Sequence, residues 1–132
     1  MPVKIDKIVV HCSDSPHRGD TAADVHRWHV ERGWSGIGYH YVIREDGELE
    51  FGRPHYWAGS HVRGHNTGSL GIMLFGKDYF TPEQFDTLKV LITNLRMEYP
   101  DAEVMGHRDL DPHKTCPNFD VKSWWASVNE NG

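Results

Sequence analysis

No run in these 132 residues is long and apolar enough to read as a membrane span or as the core of a secretory leader. The start, MPVKIDKIVV, offers only short alternating stretches, so synthesis without a signal peptide is expected. Cysteine is scarce. Two residues allow at most one disulfide, and free thiols would suit synthesis in a reducing cytosol. A basic excess is missing too: 14 Lys and Arg stand against 19 Asp and Glu, a net charge of −5, which speaks against a nucleic-acid partner. There is no internal repeat, linker or low-complexity tail, so one domain with one core is expected over 1–132. The zinc-helix pattern HExxH is absent, although histidine is abundant at ten residues.

What is present alternates between strand and helix patterns. Lys4–Val10 runs from alternation into an apolar stretch and reads as a buried strand ending in His11. Alternation puts Ile8, Val10 and Cys12 on one face, with Val9 and His11 on the other. A turn-rich loop, SDSPHRGD over 13–20, follows. Thr21 and Asp24 have capping-box spacing, and a helix is expected to about Arg32, stopped by Gly33. Val25 and Trp28, with His29 or Arg32, would form its inner face. His26 and His29 lie one turn apart, but without the paired Glu they suit packing or surface positions better than a metal.

Gly36 and Gly38 open a hairpin whose first strand, Tyr39–Arg44, would show Tyr39, Tyr41 and Ile43 on one side. Asp46-Gly47 is a two-residue turn signal, and Glu48–Phe51 returns. Leu70–Phe75 reads as a further strand. Thr81-Pro82-Glu83-Gln84 is a second capping box, opening a helix over Pro82–Glu98 with Phe85, Leu88, Leu91, Ile92 and Leu95 inward. Ala102–Met105 is a short strand, and Val121–Val128 a last helix with Trp124 and Trp125 as a core clamp. This order implies a mixed α/β fold: a central mixed sheet flanked by helices, with loops gathered at one edge.

Two stretches carry chemistry. GHRDLDPHKTCPNFD at 106–120 holds His107 and Cys116 nine residues apart, with Pro112 and Pro117 breaking any helix between them. Such a loop can fold back and offer both side chains to one point, and His11 at a strand end can complete a trio. Imidazole and thiolate bind zinc, and a catalytic site uses three protein ligands with a fourth position left open. Spacing alone equally allows a loop histidine and a buried thiol. The irregular segment over 54–69 carries Trp57, His61, Arg63, His65 and Asn66, a mixture able to grip a polar ligand or simply to sit in solvent.

Several motifs in this chain, in this order, resemble the amidase-2 family of zinc N-acetylmuramoyl-L-alanine amidases. They are IVVHCSDS at 8–15, WHVERGWSGIGYHYVIREDGELEFGR at 28–53, GSHVRGHNTGSLGI at 59–72, and the 106–120 stretch. That family includes peptidoglycan recognition proteins and short phage lysozymes of amidase type. The resemblance implies one zinc ion per chain on His11, His107 and Cys116. It implies that Tyr39 and Lys114 act in catalysis, and that the substrate groove runs past His61 and Asn66, with Trp57 beside them. The implied reaction is hydrolysis of the amide between N-acetylmuramic acid and L-alanine in bacterial peptidoglycan, with Tyr39 or His61 as candidate proton acceptor.

A cysteine at 116, where one branch of the family has aspartate, places the chain nearer the phage lysozymes and the catalytic recognition proteins. It departs from a binding-only recognition module, whose relatives lose this ligand, and from cytosolic amidases that recycle soluble anhydromuropeptides. A phage endolysin is therefore expected: a monomer made in the host cytoplasm, acting on the wall after a separate protein permeabilises the membrane.

Overall fold

The apolar runs near Ile8 and Leu70 lie side by side and are buried along nearly their whole length, as strands without a polar face must be. The computed structural model describes residues 4–13, 21–33, 37–62, 64–77 and 79–129. Its strands are β1 (Lys7–Cys12), β2 (Tyr41–Ile43), β3 (Leu49–Phe51), β4 (Ser69–Leu74) and β5 (Glu103–Gly106). They form one sheet in the order β3-β2-β4-β1-β5. β1 runs parallel to both β4 and β5, and β2 parallel to β4, while the β2–β3 hairpin is antiparallel. The expected mixed α/β architecture is what the chain adopts. The expected loop over 14–20, Gly36 and Arg63 lie outside the described residues.

The helices are α1 (Ala22–Glu31), α2 (Pro82–Glu98), α3 (His107–Leu110) and α4 (Val121–Asn129). Both capping boxes form. The Thr21 backbone N–H donates to the Asp24 carboxylate, and the Thr81 hydroxyl accepts from the Gln84 N–H. Alternation then divides the layers. Ile8 and Val10 of β1, with Leu70, Ile72 and Leu74 of β4, pack with Leu88, Ile92 and Leu95 of α2 and Val121 of α4. On the other face Val42 and Met73 meet Val25 of α1 and Ile37, while Val9 meets Val62 and Met105. No helix among the described residues is long and apolar enough to cross a membrane.

Two local expectations need correction. Tyr39 does not share a face with Tyr41 and Ile43. The chain bends at His40 and enters the sheet only at Tyr41, so Tyr39 packs with the α1 layer while Tyr41 and Ile43 join the α2 layer. The segment after β5 is not wholly loop, because His107–Leu110 makes one helical turn before Pro112. Gln84 is also fully buried on α2. Its side chain accepts from the Thr81 N–H and donates to the carbonyls of Ile43 and Phe75. Ile43 O also receives the Phe75 N–H, so Phe75 O depends most on the amide.

Replacing Gln84 by Leu should therefore strand a buried carbonyl and an N–H, lowering stability by about 1–3 kcal/mol. Urea unfolding of the two proteins measures this; an unchanged midpoint would show that water or a backbone shift takes over the bonds.

Candidate active site

Parallel pairing of β1 and β5 places Val10 opposite Gly106, so the residues that follow, His11 and His107, leave adjacent strand ends on the same edge. Ligand sites in open α/β sheets form outside the carboxyl ends of the strands, for this reason. Gly106 has a further task. A Cβ there would lie 2.9 Å from Pro117 Cδ and 3.1 Å from Val121 Cγ2, so only glycine lets the 116–117 segment close against β5. The loop is tied back by Arg108 N–H to Cys116 O at 2.9 Å, Lys114 N–H to Asp111 O at 3.0 Å and Asn118 Nδ2 to Lys77 O at 2.8 Å.

These constraints bring His11, His107 and Cys116 together, one donor atom from each lying within 4.8 Å of the others. His11 Nδ1 and His107 Nδ1 are 3.1 Å apart. Two nitrogens on a tetrahedral zinc, each at ~2.0–2.1 Å, would stand ~3.3 Å apart, so the pair is spaced as ligands are. Cys116 Sγ receives the Cys12 backbone N–H at 2.8 Å and lies 3.6 Å from Cys12 O, so the Cys12 backbone holds the sulfur at the end of β1. The donor set, two imidazoles and a thiol, fits a borderline-soft divalent metal. Cys12 itself is buried on the opposite face from His11, as alternation requires.

Electrostatics point the same way. Burial, then the neighbouring His61 and His107, holds the His11 imidazole well below its usual value. His107 is also lowered, by burial first; Asp111 opposes that shift and the Lys114 charge adds to it. Neutral imidazoles with available lone pairs are what a metal needs. Tyr39 lies with its ring centroid 5.1 Å from that of His11. Burial and then the Cys116 and Cys12 sulfurs raise its phenol, so it remains a hydrogen-bond donor at neutral pH. Lys114 is exposed on the loop, its charge within reach of His107.

The three residues expected to bind substrate take different places. Trp57 is 56% exposed beside Tyr56 at 82%, on a segment pinned by His40 Nε2 to Trp57 O and by Arg53 to Ile37 O and Ala58 O. Asn66 directs its Oδ1 to the backbone N–H groups of His61 and Val62, both at 2.8 Å. His61 is 9% exposed and sits behind His11, with His11 Nε2 2.8 Å from His61 Nδ1 and Ser69 Oγ 3.0 Å from His61 Nε2. A hollow of about 380 Å3 lies away from these donors, beside Arg44–Asp46 and Thr81.

Sequence reading missed what His26 and His29 do. Their Nδ1 atoms accept the N–H groups of Ile37 and Gly38, at 3.2 and 2.8 Å, and so fasten the segment leading into Tyr39. Their spacing of three was a visible signal, but the backbone they meet could not be read from it.

A family model described as N-acetylmuramoyl-L-alanine amidase matches residues 1–119. The endolysin of Klebsiella phage KP32 is 41% identical over 128 residues, spanning 90% of this chain and 84% of that protein. The endolysin of Escherichia phage T7 is 38% identical over 129 residues, spanning 91% and 85%. Among solved structures, N-acetylmuramoyl-L-alanine amidase LysC from Clostridium intestinale matches with a TM-score of 0.86 and 32% identity. That match covers 98% of this chain and 87% of LysC.

The His29 contact has a pH signature. Burial, then the charges of Arg32, Arg53 and His26, lowers this imidazole to about 4. The unfolded chain, with His29 near ~6.5, takes up the proton first as pH falls. Stability from the neutral ring is thus present above about pH 6.5 and lost progressively down to about 4. His29→Asn keeps an acceptor at the Nδ1 position without titrating. It should cut the proton uptake on unfolding by up to ~1 in that window, read as a shallower dependence of Tm on pH. An unaltered slope would mean that His29 is not a source of the acid sensitivity.

Proposed function

Because the chain belongs to the N-acetylmuramoyl-L-alanine amidase family, it is an enzyme that hydrolyses the amide between N-acetylmuramic acid and L-alanine in peptidoglycan, and we propose that it does so at a zinc ion held by His11, His107 and Cys116. The observation that carries the metal reading is the meeting of three donors from distant parts of the chain, within 4.8 Å of one another. When bound, zinc supplies Lewis acidity toward the carbonyl and lowers the pKa of water at the open position.

The remaining work falls to the chain's own groups. Amide hydrolysis develops negative charge on the carbonyl oxygen, and a donor aimed at that charge accelerates the step. Tyr39, protonated and beside His11, is placed to donate to it. Lys114 adds a mobile positive charge at the exposed side, where the scissile amide would enter. Trp57, exposed on a pinned segment, can meet the substrate by its indole face. Asn66 keeps the His61 backbone in place from within the loop. Action as a monomer is part of this proposal. Relatives that are phage endolysins support a role in host lysis with synthesis in the host cytoplasm. Access to the wall through a separate membrane-permeabilising protein is part of the same proposal.

Purified protein should carry close to one equivalent of zinc and release new L-alanine amino termini from isolated sacculi. Cys116→Ser and His107→Ala should each lose the metal, as measured by elemental analysis on folded protein. Full zinc in both variants would sink the proposed ligand set.

Tyr39→Phe and Lys114→Met should instead keep zinc and melt near the parent temperature. Loss of one donor to a developing oxyanion typically costs ~10²–10³ in turnover. Turnover on sacculi and zinc content, measured on the same preparations, separate chemistry from metal support. Parent-like turnover in both variants would remove these residues from the mechanism.

A further inference from the structure

Behind the three donors lies a chain of polar contacts that runs inward instead of toward solvent. His11 Nε2 is 2.8 Å from His61 Nδ1, and His61 Nε2 is 3.0 Å from Ser69 Oγ. The Ser69 hydroxyl also reaches two carbonyls, His65 O at 2.6 Å and Asn66 O at 3.1 Å. Carbonyls can only accept, and the hydroxyl has a single hydrogen. That hydrogen goes to the carbonyls, so Ser69 Oγ must accept from His61 Nε2–H.

The rest follows by counting protons. A neutral His61 with hydrogen on Nε2 has a bare Nδ1, which can only accept. His11 Nε2 must then carry hydrogen and donate to it. A neutral His11 with hydrogen on Nε2 presents a bare Nδ1, and that is the atom 3.1 Å from His107 Nδ1. Both rings are buried, His11 at 1% and His61 at 9% exposure, and burial disfavours the charged imidazolium.

The His61 ring is seated to do this. A Cβ at Gly59 would come within 2.5 Å of His61 Cδ2, and one at Gly71 within 2.8 Å of His61 Cγ. Two glycines thus leave a slot that the imidazole fills. Asn66 Oδ1 fixes the backbone at this position through the N–H groups of His61 and Val62. The ring of His40 stands edge-on at 6.0 Å, and its Nδ1 accepts the Gly71 N–H. Backbone, ring and proton are each held by a different partner.

We propose that His61 is a positioning residue for the metal centre: oriented by Ser69, it accepts the Nε2–H of His11 and so locks His11 in the tautomer that turns a bare Nδ1 toward His107 and Cys116. This rests on the reading of His11 as a ligand. It gives His61 a place behind the metal centre, not in contact with substrate. An outer partner of a ligating histidine fixes ring orientation and raises ligand basicity, and its loss typically weakens metal affinity.

The test has two arms. In the first, ring 15N resonances of the metal-free parent report the tautomers directly. The expected result is hydrogen on Nε2 and a bare Nδ1 in both His11 and His61; hydrogen on His61 Nδ1 overturns the proposal whatever the metal does. In the second arm, zinc affinity is measured by chelator competition on folded protein. His61→Leu removes the acceptor and should bind zinc 10–100-fold more weakly, while His61→Asn, with Oδ1 near the Nδ1 position, should stay within about threefold of the parent. Equal affinity of parent and Leu variant overturns the proposal, as does a folded Asn variant no better than Leu. If the Leu variant does not fold, Ser69→Ala takes its place. It should let a second His61 tautomer appear in the 15N spectrum, and an unchanged single tautomer overturns the proposal. A parent that binds no zinc refutes the metal reading itself, a result distinct from any difference among the variants.

Discussion

Parallel pairing of β1 with β4 on one side and β5 on the other is the constraint on which the rest depends. It puts β1 inside the sheet, between β4 and the edge strand β5, with His11 opposite Met73 and Val10 opposite Gly106. Parallel neighbours end at the same edge, so His11 and His107 emerge together without any special turn. The loop that returns Cys116 then needs only to close against β5, and Gly106 leaves room for it. A slip of one residue in β1 would send His11 to the α2 face and Val10 to the site, since successive side chains alternate. The hydrophobic pattern that fixes the register therefore also fixes the metal-competent trio.

Burial sets the chemistry of the same face. His11, His29, His40, His61 and His107 all have lowered basicity, and desolvation is the first cause in each. A cluster of imidazoles at this density would be self-repelling if charged. Neutral, each offers one donor and one acceptor, and the chain uses them with direction. His29 and His26 accept backbone N–H groups next to Tyr39, His40 links Gly71 to Trp57, and His61 lies between His11 and Ser69. Four of the ten histidines, His26, His29, His40 and His61, thus frame the face where His11 and His107 meet.

The parts of the fold with strong local signals were legible. Capping boxes at Thr21 and Thr81 start helices where expected, and Asp46-Gly47 turns the hairpin. His11, His107 and Cys116 could be named as candidates because a strand end and a proline-broken loop can bring ligand types to one point; spacing alone equally allowed a loop histidine and a buried thiol, and the motif order carried the choice. Other parts depend on tertiary contacts that periodicity does not carry. Tyr39 changes face because of a bend at His40, which is stabilised by partners 17 and 31 residues away. Gln84 read as a cap residue, yet its amide also reaches across to Phe75 O. His61 and Asn66 sit in a stretch whose polar composition suggested an outward grip. His61 turns inward to His11 and Ser69 in a slot left by Gly59 and Gly71, while Asn66 Oδ1 accepts the nearby backbone N–H groups of His61 and Val62.

Ninety-six positions separate His11 from His107, and Cys116 comes later still. During translation the first donor leaves the ribosome long before the other two, while β1 waits for both of its sheet neighbours. A nascent chain, or a fragment cut anywhere between β1 and the last loop, holds an incomplete donor set and an unfinished sheet. A site that needs all three donors can therefore form only once the chain has been made through Cys116.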